Sequence, residues 1–190
     1  MRSSVVRLLA LSTLFATAAC GDGGTGGNRL TPVEVAGVYR VCTLRFVPDN
    51  SAFPVANLLE RVIHTTPPSG KPEPTVTLSP DGAFQLSYTR RSDAFTREII
   101  GAIEYGSDAV TLRFYNDADN PNAIAAELLL PQQTSFTFRT AASRRLDTNS
   151  ARSYSVTRRD YARAAGVEEA GFAATIPGRL EASLQEGTCS

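Results

Sequence analysis

The sequence predicts an all-β fold with C-terminal helices, organised as an eight-stranded antiparallel up-and-down barrel. Short segments recur in which apolar and polar residues alternate, a pattern that buries one face of a strand and leaves the other in water. Turn-forming residues separate many of these segments, and the connections differ sharply in length. A two-sheet sandwich has the same local signals and remains the alternative. The barrel is favoured because closure removes the two open edges of a meander.

Eight strands are predicted from period-two alternation. In residues 83–90, for example, Phe84, Leu86 and Tyr88 alternate with three polar side chains. The predicted strands span residues 35–47, 75–79, 83–90, 95–105, 109–115, 124–130, 134–139 and 152–158. Tight turns suited to hairpins lie at residues 79–82, 106–108 and 131–133.

Connection lengths predict that the two ends of the barrel differ. In an up-and-down barrel, alternate connections lie at the same end, and one end receives the long connections 48–74, 116–122 and 140–151. Apolar residues within 55–62 have helix spacing, so a short helix is expected there, either as a lid on a cavity or as a plug that completes the core. The alanine-rich residues 160–165 and 167–176 are expected to form helices on the barrel wall.

The first 19 residues have the features of an export signal. Arg2 and Arg7 precede an apolar run over residues 8–19, which is too short to span about 30 Å of hydrocarbon as a helix. The small residues 17–19 then lead into Cys20. This segment resembles the lipobox of bacterial lipoprotein precursors, and the resemblance implies that Cys20 is acylated and becomes the mature N-terminus. An ordinary secretory signal is the alternative.

A tether and one folded unit are expected after the signal. Five of the eight residues that follow Cys20 are glycine, so residues 20–30 form a lipidated cysteine with a flexible tether, and residues 31–190 form a single domain. The resemblance to lipoproteins further implies that Gly21, standing where Asp would retain a lipoprotein, favours the outer membrane. The expected location is therefore the cell envelope, with the membrane as a partner through the lipid anchor.

The start of the first predicted strand carries a second resemblance. Gly37-Val38-Tyr39 is similar to the opening of lipocalins, which is glycine, any residue and an aromatic, with Tyr39 where tryptophan is usual. The long first loop, the meander, the helical stretch after it and the cysteine near the C-terminus agree with that family. The resemblance implies a barrel that binds small apolar molecules, and it implies that Arg158 packs over the opening aromatic.

Cys42 and Cys189 are predicted to form a disulfide. The compartment beyond the inner membrane is oxidising, and a bridge that closes nearly the whole domain would restrict the unfolded chain by about 4 to 5 kcal/mol. A pair of free buried thiols is the alternative.

The composition argues against several functional classes. Removal of Arg2 and Arg7 leaves 17 basic and 19 acidic residues, a balance that does not indicate a nucleic-acid binder. His64 is the only histidine and has no adjacent nucleophile motif, so we predict no enzyme, no metal site and no cofactor. Asp117 and Asp119 lie in a calcium-loop-like composition, but the segment lacks the glycine and terminal glutamate of an EF-hand.

Two functional hypotheses follow. In the first, the barrel holds a small apolar or amphiphilic ligand in an aromatic and aliphatic pocket, and arginines at the loop-rich end meet an anionic headgroup. The pocket residues would be Phe84, Leu86, Tyr88, Leu112, Phe114, Phe136 and Phe138. The headgroup arginines would be Arg90, Arg91, Arg144 and Arg145. In the second hypothesis, the large aromatics fill the barrel, which then acts as a protein-interaction or structural module of the envelope.

Overall fold

The alternating segments of the sequence form an antiparallel barrel. The computed structural model describes residues 29–114, 127–139, 144–148 and 153–189. The strands within these residues are β1 (Gly37–Pro48), β2 (Ala56–Asn57), β3 (Thr75–Leu78), β4 (Ala83–Thr89), β5 (Thr96–Tyr105), β6 (Ala109–Phe114), β7 (Gln133–Arg139), β8 (Arg145–Thr148), β9 (Tyr154–Thr157) and β10 (Thr175–Glu186). The helices are α1 (Pro32–Val35), α2 (Leu58–Arg61) and α3 (Arg158–Ala165). Among the described residues, no helix is long and apolar enough to cross a lipid bilayer.

Eight strands form a closed ring in the order β1-β3-β4-β5-β6-β7-β8-β10, and antiparallel pairing of β10 with β1 completes it. The closing register runs from Tyr39 opposite Glu186 to Pro48 opposite Gly178. β2 and β9 lie outside the ring, paired with β1 and β10 respectively. The predicted eight-stranded up-and-down barrel is confirmed, and the sandwich alternative is wrong because the ring has no open edge.

The connections distinguish two ends, which we call the closed end and the loop-rich end. The closed end carries the short turns 79–82 and 106–108 and the connection between β7 and β8. In the first of these turns, the Asp81 carboxylate accepts the Ala83 N–H (3.1 Å) and Gly82 has a φ of 86°. The loop-rich end carries the connections 49–74, 90–95 and 115–132, and also 149–174, which contains β9 and α3.

Local capping explains where two of the helices begin and end. α1 starts with a capping box in which the Thr31 side chain and the Glu34 carboxylate each accept the other residue's backbone N–H, with proline in the first turn. α3 is capped at its N-terminus by Thr157, whose hydroxyl accepts the Asp160 N–H, and at its C-terminus by Gly166 in the left-handed conformation. The prediction of a helix over 160–165 is confirmed.

A β-bulge in β1 changes which residues face the core. The register with β10 shifts between Val41 and Thr43, so Cys42 is the extra residue. Tyr39 and Val41 are buried before the bulge, and Leu44 and Phe46 after it. A simple alternation over 35–47 could not show this change of face. The bulged Cys42 forms the predicted disulfide with Cys189, with a Cα–Cα distance of 5.4 Å.

Two predicted elements between β6 and β10 are wrong. For the predicted strand 124–130, residues 124–126 lie outside the described residues, and the rest forms a turn in which Leu128 and Leu129 are buried. The predicted loop 140–151 instead contains β8, a strand of the ring. Tertiary burial, rather than local alternation, decides both segments.

The C-terminal third also differs from the prediction. The segment predicted as the eighth strand, 152–158, contains β9, which lies outside the ring. The predicted helix over 167–176 is wrong, because residues 167–174 form turns and irregular structure without a helix, and β10 begins at Thr175. β10 therefore takes the closing position in the barrel.

Candidate functional site

The barrel interior is the first candidate site, and the side chains of the wall fill most of it. The cavity that the described residues enclose there has a volume of about 30 Å³, room for roughly one water molecule. Its lining is apolar except for Thr134, and it includes five predicted pocket residues: Phe84, Leu86, Leu112, Phe114 and Phe136. The buried Thr134 hydroxyl has no hydrogen-bond partner among the described residues.

A glycine in the wall allows an aromatic ring to occupy this interior. Gly101 lies opposite Phe84, and a Cβ built on Gly101 would stand 2.4 Å from the Phe84 ring and 2.0 Å from the Arg113 carbonyl oxygen. The Phe84 ring also packs edge-on against Phe114, with ring centres 5.2 Å apart. Glycine at position 101 thus makes room for the side chain that fills the barrel.

The closed end is sealed by Tyr39 and Arg144. The Tyr39 hydroxyl donates to the Val35 carbonyl (2.7 Å), and the Arg144 guanidinium lies over the rings of Tyr39 and Phe138 at 5.6 and 5.7 Å. Arg144 also donates to the carbonyls that close α1, Glu34 O at 2.5 Å and Ala36 O at 2.9 Å. Burial raises the pKa of Tyr39 to about 12.

The loop-rich end is sealed by an apolar plug. We use the term plug for Leu58, Leu59, Ile63, Leu128 and Leu129, all buried in the common core. Leu129 has a left-handed φ of 51°, and its carbonyl accepts a hydrogen bond from the Tyr154 hydroxyl. The short helix expected within 55–62 is present as α2, and its leucines belong to this plug.

A polar network lies beside the plug. The buried Tyr88 hydroxyl donates to Glu127 Oε1 (3.3 Å), and Arg90 donates to Glu127 Oε2 (3.0 Å). Arg90 also binds both carboxylate oxygens of Asp93, and its side-chain hydrogen bond lowers the pKa of Asp93 to about 2. Burial raises the pKa of Tyr88.

The second candidate site is a groove on the outside of the loop-rich end, which we call the arginine groove. It has a volume of about 190 Å³. Its walls come from α2, α3, the connection after β4 and the segment before β7. The lining residues are Arg61, Val62, Arg90, Ser92, Glu127, Arg163 and Ala164.

The remaining predicted site residues are spread over both ends. Tyr88 reaches the polar network and Phe138 lies under Arg144, so neither lines the interior cavity. Arg91 is exposed at the loop-rich end and donates to the Ile63 carbonyl at 3.4 Å.

Two predicted headgroup residues are misplaced. Arg144 and Arg145 lie at the closed end, away from Arg90, because β8 runs through the predicted loop. The arginine over Tyr39 is Arg144 rather than Arg158, which instead begins α3. Cys20 lies outside the described residues, as do Asp117 and Asp119.

Sequence reasoning missed Arg61 and Arg163 of the groove, and no local signal connects them, because they are about a hundred positions apart in the chain. It also missed the closing strand β10, where Leu180, Ala182 and Leu184 do alternate at strand spacing. Among the described residues there is no group of three or more His, Cys, Asp or Glu side chains that could hold a metal ion.

Comparison with known proteins gives no match: no protein-family model, no curated protein and no solved structure matches the chain significantly.

Proposed function

We propose that the protein is a lipoprotein of the bacterial envelope, anchored through Cys20. Its filled barrel acts through the outer surface as a protein-interaction or structural module. The observation that carries this proposal is the interior volume of about 30 Å³. Pockets that bind small molecules usually measure about 300 to 1,000 Å³. The plug and the Tyr39–Arg144 pair close the two ends of that interior.

Native mass spectrometry tests whether the barrel is filled. The Cys20→Ser protein would be made in an oxidising compartment and kept away from detergent. We expect a clean apo mass and no saturable uptake of a fluorescent fatty acid. A Leu128→Ala variant, which opens space in the plug, provides the comparison for ligand uptake by a less completely filled barrel. An adduct of lipid mass on the Cys20→Ser protein that leaves on denaturation would contradict the proposal and favour the ligand-binding barrel.

The anchor has its own test. Cells that express the full chain would be labelled with an alkyne fatty acid and fractionated. We expect label and membrane association for the unmodified chain and loss of both in Cys20→Ser. Cys42→Ser is the matched control, because it removes a different cysteine and should keep the label. Retention of the label in Cys20→Ser would contradict the anchor.

The fold supports one orientation of an anchored barrel. The chain enters the barrel at the closed end, where Leu30 N–H donates to Gly106 O (2.8 Å) and Arg29 donates to Tyr105 O (2.6 Å). If residues 20–29 form the flexible tether expected from their glycine content, that tether would have a root-mean-square span of about 17 Å. β1, with 12 residues tilted in a barrel, rises about 30 Å. The closed end would therefore face the membrane and the loop-rich end would point away from it.

The single lysine allows a direct measurement of that orientation. Lys71 is exposed in the connection after β1 at the loop-rich end, so an amine-reactive dye would mark this end. A Lys71→Arg, Ser107→Lys double variant would mark the closed end instead. On vesicles that carry a quencher in the headgroup region, we expect strong quenching for the dye at position 107 and weak quenching at Lys71. The reverse pattern would contradict the orientation.

A further inference from the structure

The arginine groove has more hydrogen-bond donors than acceptors. Its polar lining consists of Arg61, Arg90, Ser92, Glu127 and Arg163, so Glu127 is its one carboxylate among the described residues. Both oxygens of that carboxylate are already engaged, by the Tyr88 hydroxyl and the Arg90 guanidinium. A guanidinium carries five N–H donors, and three arginines surround the groove.

The three arginines differ in how far their guanidinium groups are already paired with carboxylates of the protein itself. Arg90 is held by Asp93 and Glu127. Arg163 pairs with Asp160 through one nitrogen and is 61% exposed in its side chain. Arg61 forms no ion pair with a carboxylate of the described residues, so none of those carboxylates neutralises its charge. Arg61 and Arg163 are therefore the donors that a ligand would meet.

Arg61 and Arg163 lie close to one another because of the backbone at the end of α3. Arg163 lies in the last turn of α3, and Gly166 ends that helix with a φ of 70°. The Arg61 guanidinium lies against Gly166, where a Cβ would come within 2.5 Å of Arg61 Nη1. Glycine at position 166 thus allows both the left-handed end of α3 and the close approach of the Arg61 guanidinium.

We propose that the arginine groove binds a small oxyanion, a phosphate or carboxylate group, through Arg61 and Arg163 with Ser92 as an additional donor. The volume of about 190 Å³ accommodates such a group together with water. An oxyanion supplies only acceptors, which is what the lining lacks, and planar guanidinium forks match its geometry. The groove lies outside the barrel interior, so the proposal does not depend on whether the barrel is filled.

Titration with inorganic phosphate and, separately, with acetate tests this site at constant ionic strength. Two-dimensional NMR of the arginine Nε–H groups in the Cys20→Ser protein would report binding. We expect saturable shifts at Arg61 and Arg163, and at least about tenfold weaker binding in Arg61→Gln and in Arg163→Gln. The anion that binds more tightly identifies the source as a phosphate-bearing or a carboxylate-bearing ligand.

Arg113→Gln is the matched control. Arg113 is also partly exposed and paired, with Glu104, but it lies on the outer wall in β6, so its loss should leave the affinity unchanged. Arg61→Lys keeps the charge without the fork and should restore only part of the affinity. The absence of saturable shifts with both anions would overturn the proposal. Equal weakening in Arg61→Gln and Arg113→Gln would also overturn it, because it would reveal a general charge effect.

Discussion

The two ends of the barrel are sealed by different kinds of interaction. The closed end relies on short turns, on hydrogen bonds from Arg144 to the backbone around α1, and on the Cys42–Cys189 bridge in the adjacent half of β1. The loop-rich end relies on the buried leucines of the plug and on side chains brought from several connections. Directed polar contacts and a covalent link hold one end, while apolar packing holds the other and leaves a polar groove outside it.

This difference affects where function can develop. Connections of three to five residues leave the closed end little surface that can change without loss of the strand register. The long connections of the loop-rich end supply both the plug and the arginine groove, since they bring α2, α3 and the segment before β7 together. Loops on a rigid scaffold commonly carry recognition residues for this reason.

Removal of the disulfide should have the largest effect. The bridge joins residues 147 positions apart, so a Cys42→Ser, Cys189→Ser variant should lose about 5 kcal/mol of unfolding free energy in the chain-entropy model. Denaturant unfolding followed by circular dichroism would measure it. A loss below about 1 kcal/mol would show that the closed end does not depend on its covalent link.

Truncation of the plug should have the next largest effect. Leu128 is fully buried, so Leu128→Ala should cost about 3 to 4 kcal/mol through lost transfer energy and a new cavity. Val38→Ala is the control, because Val38 is 55% exposed on the outer wall and should change stability by less than about 1 kcal/mol. Equal costs for the two variants would mean that the plug does not seal the loop-rich end by packing.

Alkaline pH should weaken the closed end through Tyr39. Its pKa in the folded protein is raised from 10.0 to about 12, so its neutral form is favoured there. The contribution of neutral Tyr39 to the free energy of unfolding is complete below about pH 10 and is lost as the pH rises towards 12. This contribution is on the order of 3 kcal/mol. Unfolding measured along this pH range would test it, and Tyr39→Phe should show a shallower decline. An identical decline in Tyr39→Phe would assign the effect to other tyrosines, such as Tyr88 and Tyr154, whose pKa values burial also raises.

Loss of the Arg144 contacts should have the smallest effect of the four. Arg144→Gln removes two hydrogen bonds to carbonyls and the contact with two aromatic rings, for a cost of about 2 kcal/mol. Arg145→Gln is the neighbouring control, since Arg145 pairs with Asp147 at the surface and should contribute less than about 1 kcal/mol. Thermal unfolding of both variants would compare them. A smaller loss for Arg144→Gln than for Arg145→Gln would contradict the role of Arg144.

The sequence by itself determined the strands whose signals are local. Alternation identified β3, β4, β5, β6 and β7 to within a residue or two over the described residues, because each has one face in the core and one in water. The sequence also predicted the Cys42–Cys189 disulfide and the large aromatic side chains of the barrel interior, because both predictions depend on residue type.

Tertiary structure decided closure, the two seals and the groove. β10 closes the ring only by pairing with β1 across most of the chain, and local reading assigned its first residues to a helix. The bulge at Cys42 reverses which residues of β1 face the core. β8 occupies a segment predicted as a loop, and Arg144 therefore lies at the closed end rather than at the loop-rich end. These outcomes depend on contacts between distant residues. Local alternation, which β10 does show at Leu180, Ala182 and Leu184, does not specify the partner strand or the position of a bulge.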